Sequence, residues 1–471
     1  MSNSVRRGLA LVACALFCCA ARAAPKTDDL PRGRVVERVA TLKDPAQTYA
    51  LYLPSNYTPE RLWTTLYCFD PLARGAVPVK LFSEAAERLG WVVVGSNNSR
   101  NGPVRDSVNA TQSMFADTQA RLAVDGRRAY AAGFSGGARQ AIWVDRLCRH
   151  CLAGVIAAGA GYPPNVQPGA PVTFALFGAV GVDDFNFPEM KTLDATLARL
   201  GAPHRFESFE GGHAWPPPEV AAAAVEWMEL QALRTGLREK DEAFVSGAWG
   251  RRLSEARRLE ETSKSYAAYR AYESLAADFR GLRDVAEAES KFAALGASKE
   301  VKAALKDEAE QLSRQQQFVS ELFDLAEKRR GDFESKVQAA ADFRYRVESL
   351  RAKAEAEADS GERRVARRTL NQVSARFYET AAELRRRRAR PSEVVAALEV
   401  ASEVASRSPQ LFYELAVAHA QNSDKRGALA ALRKAFELGF KDAAAVEQEP
   451  ALEPLRNDAE YRRLVEAART K

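Results

Sequence analysis

Histidine is scarce in this 471-residue chain: it occurs four times, at positions 150, 204, 213 and 419, so each imidazole can be placed individually. Cysteine is little used. Three of the six (Cys14, Cys18, Cys19) crowd the first 19 residues, leaving Cys68, Cys148 and Cys151. Cys148-Arg-His-Cys151 is a C-x-x-C, but it lacks the second pair that a zinc site needs and the following histidine that haem attachment needs, and no thioredoxin-like unit surrounds it. In an oxidising compartment the pair could close a local disulfide; idle thiols at a helix end are the alternative, and both stay open. Cys68, in an apolar strand-like run, reads as a small buried hydrophobe. The charge excess is also small. The formal +6 includes Arg6, Arg7 and Arg22. Without those three it is too slight to argue for nucleic acid, and no aromatics interleave with a basic stripe. No pattern for a metal or an organic cofactor is evident. Apolar runs long enough to span a bilayer are missing as well.

What is present begins with an export signal. Arg6-Arg7 precedes the apolar stretch Gly8 to Ala20, and Ala21-Arg22-Ala23 supplies a small-residue cleavage site. Residues 1–23 are therefore expected to be a signal peptide, and the mature chain to be periplasmic or secreted with no transmembrane segment. Leu11-Val12-Ala13-Cys14 also resembles a lipobox, but its apolar stretch is short for one, so soluble export is preferred.

From Arg34 to about Trp227, short β-rich runs alternate with helical spacing. Strands are expected at Arg34–Ala40, Thr48–Leu53, Trp63–Phe69, Trp91–Ser96, Ala129–Ala132, Gly154–Ala158, Thr173–Gly178 and Arg205–Phe209. This alternation predicts an α/β domain, a mostly parallel sheet with helices on both faces, over residues 24–235. The first two strands lie too close together for a crossover and should be antiparallel. After Trp227 the composition shifts to Glu, Lys, Arg, Ala and Leu, and beyond Pro218 proline is absent until Pro391. A helical region is expected over 236–390, including long helices at Ala267–Leu295, Glu300–Lys328 and Gln372–Arg388. Phe412, Leu415, Ala416, Ala428, Leu432 and Ala435 then follow the spacing of tetratricopeptide-like paired helices within 391–471, with Asn422-Ser-Asp424 as the turn. Such helices could hold a protein partner, cover the site or only extend the fold.

The chemistry centres on Gly133-Phe-Ser135-Gly-Gly137, a G-x-S-x-G that follows a strand and opens a helix. A serine hydroxyl needs a base to take its proton and an acid to orient that base. The next strand ends lead into Gly181-Val-Asp183-Asp184 and Gly211-Gly212-His213-Ala-Trp215, so serine, acid and histidine follow in order.

On these stretches, together with Tyr49-Ala-Leu-Tyr-Leu-Pro-Ser-Asn-Tyr57 and Phe69-Asp-Pro-Leu-Ala-Arg-Gly75, residues 34–230 resemble the α/β-hydrolase superfamily. The likeness is to compact bacterial esterases related to polyhydroxybutyrate depolymerases, feruloyl esterases and dienelactone hydrolases. The resemblance implies Ser135 as nucleophile, His213 as general base, and Asp184, with Asp183 as the alternative, as the orienting carboxylate. It implies a small or polymeric ester substrate and an oxyanion hole using the Gly136 N–H. Relatives usually carry His-Gly after the third strand, where this chain has Asp70-Pro71. Proline has no N–H, so by position the second donor should be Leu72. Trp215 is expected as a pocket wall or a core residue, and Asn97, at a strand end, as a substrate contact or simple turn chemistry. The short Gly/Pro-rich link between Ala158 and Thr173 rules out a lid inserted there. A serine peptidase shares this order of residues, and a hydrolase-like domain without turnover on a helical scaffold is a third reading, favoured by Asp70-Pro71.

Overall fold

The computed structural model describes residues 30–169, 171–329 and 333–469. The expected signal segment 1–23, with Cys14, Cys18 and Cys19, lies outside the described residues. Eight strands build one sheet: β1 (Val35–Ala40), β2 (Thr48–Tyr52), β3 (Trp63–Phe69), β4 (Trp91–Ser96), β5 (Val124–Phe134), β6 (Gly154–Ala158), β7 (Ala175–Gly181) and β8 (His204–Phe209). Their order is β1-β2-β4-β3-β5-β6-β7-β8. β1 pairs antiparallel with β2, and β2 with β4; every other pairing is parallel. This is the mostly parallel α/β sheet that the sequence predicts.

Parallel neighbours require crossovers, and helices supply most of them. These are α1 (Ala76–Leu89), α2 (Val104–Arg121), α3 (Gly136–Leu147) and α4 (Phe187–Arg199), with α5 (Pro218–Arg234) following β8. Alternate strand side chains feed two cores. Tyr67 and Phe69 join Phe115 of α2, Ile142 of α3 and Leu197 of α4 on one face. Leu66 and Cys68 join Phe82 of α1 and Met228 of α5 on the other. Every residue of β2, β3, β4, β6 and β7 is buried, as near-continuous apolar strands covered on both faces should be. Among the described residues between β6 and β7 there is no helix. At the end of α3, Cys148 and Cys151 form a disulfide with a Cα–Cα distance of 5.5 Å.

The chain divides by contacts into two units, the first ending at Lys306. Helices α6 (Glu242–Glu261), α7 (Ser265–Phe279) and α8 (Ala286–Ala297) thus group with the sheet, whereas the sequence reading closes that domain at 235. The physical reason is a shared core. Leu230 and Leu233 of α5 pack with Val245, Tyr272, Leu275 and Phe279. Below them the buried Asp278 accepts a hydrogen bond from Trp227 Nε1 (2.7 Å) and pairs with Arg205 of β8 and Arg252 of α6. The single helix expected over Ala267–Leu295 is two, broken around Gly281, whose φ of 83° is left-handed.

Helix α9 (Lys299–Lys328) contains the division. The second unit goes on through α10 (Phe333–Ala354), α11 (Gly361–Arg386), α12 (Pro391–Val404), α13 (Pro409–Gln421), α14 (Lys425–Glu437), α15 (Ala443–Gln448), a 3-10 turn (Pro450–Leu455) and α16 (Ala459–Arg469). Of the residues singled out for paired-helix spacing, Leu415, Ala416, Ala428, Leu432 and Ala435 are buried in one cluster, with Phe412 half-buried beside them. Asp424 caps α14 by accepting from Gly427 N–H at 2.9 Å, which closes the turn after α13. Among the described residues no helix is long and apolar enough to cross a membrane.

Candidate active site

Ser135 lies between β5 and α3 at φ 53° and ψ −121°, a conformation that a side chain normally avoids. Such backbone costs on the order of 1–3 kcal/mol and persists where its surroundings impose it. Here the sequence supplies the surroundings. A Cβ on Gly133 would lie 2.0 Å from Gly137 O, and one on Gly137 would lie 2.0 Å from Phe69 O. Both glycines are therefore required for β5, α3 and the end of β3 to converge. Ser135 N–H donates to Ala158 O of β6 at 2.8 Å, which holds the turn against the sheet. Gly136 follows as the first residue of α3, where N–H groups lack intrahelical partners and point outward.

The two downstream loops bring their residues to this turn. His213 Nε2 is 2.9 Å from Ser135 Oγ, and His213 Nδ1 is 2.9 Å from both Oδ1 and Oδ2 of Asp184. Asp184 is fully buried just past β7. Its Oδ1 also accepts from Asn186 N–H (2.8 Å), while Asn186 Nδ2 donates to Gly159 O (2.7 Å), tying the acid loop to the end of β6. Of the two aspartates it is Asp184 that faces the imidazole. Asp183 offers its N–H to Gly211 O at 2.9 Å, which joins the acid loop to the histidine loop through backbone. Phe134 and Phe185, the chain neighbours of Ser135 and Asp184, pack against the His213 ring at centroid distances of 4.6 and 4.2 Å.

Of three further residues marked in the sequence, Leu72 departs from its expected place, while Asn97 and Trp215 take one of the two places left open for each. Leu72 N–H donates to Asp70 Oδ1 at 2.9 Å, so it is folded into the Asp70 turn and is not presented as the second oxyanion donor. The Leu72 side chain is 65% exposed. Asn97 is fixed at the other end of its loop: its Nδ2 donates to Glu37 O of β1 (3.0 Å) and its N–H to Thr48 O of β2. These bonds give it turn chemistry rather than a place against a substrate. Trp215 donates its indole N–H to Asp70 Oδ2 (3.0 Å) and packs on Phe134 and Phe82. It pins the histidine loop to the end of β3.

Asp70 is the residue whose role the sequence hides, although its departure from His-Gly marks the position. Burial alone would raise its pKa. Arg74, whose Nε and Nη2 reach the carboxylate at 2.9 and 3.0 Å, outweighs burial together with Trp215 and the Leu72 N–H, and holds the group below the usual carboxylate range. A carboxylate depressed in the folded state stabilises it above the unfolded pKa of about 4, and that contribution is lost as pH falls through the lower folded value. Asp70→Asn is accordingly expected to lower the thermal midpoint near neutral pH, with the gap from wild type closing below about pH 4. Thermal melts from pH 3 to 7 measure it; a constant gap would assign the loss to packing instead.

Among the described residues no cluster of three or more His, Cys, Asp or Glu side chains could hold a metal. No family model matches the chain, and no curated protein matches it in sequence. Among solved structures it is similar to an S-formylglutathione hydrolase from Staphylococcus aureus (14% identity, 42% of this chain and 98% of that one, TM-score 0.33). It is similar also to a ferulic acid esterase (16% identity, 41% and 95%, TM-score 0.34). An esterase from Pyrobaculum calidifontis shares 14% identity over 43% of this chain and 87% of its own, with a TM-score of 0.34. At such identity and TM-score these likenesses establish no activity for this chain.

Proposed function

We propose that this chain is an exported serine hydrolase that cleaves carboxylic esters through an acyl-enzyme. One observation carries the reading: a serine on a strained strand-to-helix turn, 2.9 Å from an imidazole whose other nitrogen meets a buried carboxylate. His213 Nε2 takes the Ser135 proton as Oγ attacks the ester carbonyl, and Asp184 holds the Nδ1–H tautomer and stabilises the imidazolium. The oxyanion of the tetrahedral intermediate forms in front of the Gly136 N–H at the start of α3. The imidazolium then passes its proton to the leaving alcohol, and water repeats the sequence on the acyl-enzyme.

Export is supported by the Arg6-Arg7, apolar and Ala21-Arg22-Ala23 pattern, and by the Cys148–Cys151 disulfide, which persists in oxidising compartments. The paired helices around Phe412–Ala435 are read as tetratricopeptide-like, a surface type that holds protein partners. The reaction is tested with short- and long-chain p-nitrophenyl esters and a fluorophosphonate probe on the purified mature chain. Hydrolysis with stoichiometric labelling is expected. A protein that neither hydrolyses an ester nor labels would leave a hydrolase-like scaffold as the better reading, and cleavage of peptides alone would point to a peptidase.

A further inference from the structure

The geometry points to the side-chain amide of Asn101 as the second oxyanion donor, in place of the backbone N–H that Pro71 lacks and Leu72 withholds. This rests on the serine-hydrolase reading above. The end of β3 cannot supply the usual group: residue 71 has no N–H, and Leu72 N–H is bound to Asp70 Oδ1 at 2.9 Å. One donor, Gly136 N–H, would leave the developing negative charge half-satisfied.

Asn101 arrives at that place from the loop after β4. Its N–H donates to Pro71 O at 2.9 Å, and a bridge between Arg100 and Leu72 fastens the same loop one residue earlier. The side chain then lies directly over Gly136. A Cβ built on Gly136 would sit 1.8 Å from Asn101 Oδ1, 2.7 Å from Cγ and 3.0 Å from Nδ2. This contact accounts for the glycine at the variable position after Ser135, since the amide of another loop fills the space where its side chain would be. No positive φ demands a glycine there. The amide thus borders the residue whose N–H is the first donor. A terminal amide can turn either its oxygen or its NH₂ toward a site, and an oxyanion selects the NH₂.

Asn101→Ala is expected to lower kcat on p-nitrophenyl butyrate roughly 100-fold with KM little changed, because the bond forms only in the transition state. Asn101→Asp should lose at least as much, since a carboxylate has no proton to donate and repels the oxyanion. Asn101 is exposed, so both variants should keep the wild-type thermal midpoint. Gly136→Ala supplies a second route, because its methyl group displaces the amide. The double variant should then be no slower than the slower single one. An Asn101→Ala enzyme within about threefold of wild type, or fully additive losses in the double variant, would overturn the assignment. Wild-type turnover with Asn101→Ala unaffected removes this inference alone; absence of wild-type turnover removes the hydrolase reading with it.

Discussion

Ser135→Ala is expected to lower kcat on any ester the protein hydrolyses by at least about 10⁴-fold and to abolish fluorophosphonate labelling, with folding unchanged. The size follows from what is removed. Without Oγ there is no acyl-enzyme, and His213 and Asp184 lose the proton they are arranged to move. What remains is binding and oxyanion stabilisation, acting on direct attack by water. Alanine accepts the φ of 53° at a cost like that of serine, so the melting temperature should report no loss of fold. His213→Ala should cost a comparable factor. The pair together should be scarcely worse than either alone, because nucleophile and base act as one unit. Ester hydrolysis rates at known protein concentration measure all three, and retained labelling of Ser135→Ala would place the nucleophile elsewhere.

Asp184→Asn is the second large effect, about 10⁴-fold in kcat. The carboxylate is buried and both oxygens lie 2.9 Å from His213 Nδ1, so it dictates which ring nitrogen carries the proton. An amide can turn its NH₂ toward Nδ1, which then becomes the acceptor. Nε2 in turn carries the hydrogen, and the ring can no longer accept the serine proton. The neighbouring Asp183→Asn should leave the rate near that of wild type, because Asp183 joins the histidine loop through its backbone N–H. Comparing kcat for the two variants measures this. A larger loss at Asp183 would overturn the assignment.

Much of this arrangement is legible in the sequence because the parallel sheet writes itself in local patterns. Apolar runs such as Trp63–Phe69 and Trp91–Ser96 announce strands buried on both faces, and glycine spacing around Ser135 announces the elbow. The order of Ser135, Asp184 and His213 follows strand ends, which alternation alone locates. Long-range contacts were not legible. The Asp70 Oδ1–Leu72 N–H bond is local, a turn that an aspartate two residues earlier favours, but nothing in the sequence signals that Trp215, 145 residues after Asp70, would bind the same carboxylate. Asn97 and Asn101 occupy one loop and look equivalent in sequence. Tertiary pairing sends the first to Glu37 and the second to Gly136. Packing across residue 235 is hidden for a similar reason: composition changes there, but Leu230 and Asp278 continue one core past it.

The two rings against His213 carry a further consequence. Phe134 and Phe185 are the immediate chain neighbours of Ser135 and Asp184, so the pieces that bear the proposed nucleophile and acid also furnish the seat of the His213 ring. Grafting only the three polar side chains onto another α/β scaffold would import the reacting atoms without that seat. A graft of this site therefore has to carry Phe134 with Ser135 and Phe185 with Asp184, besides the glycines at 133, 136 and 137 and the loop with His213.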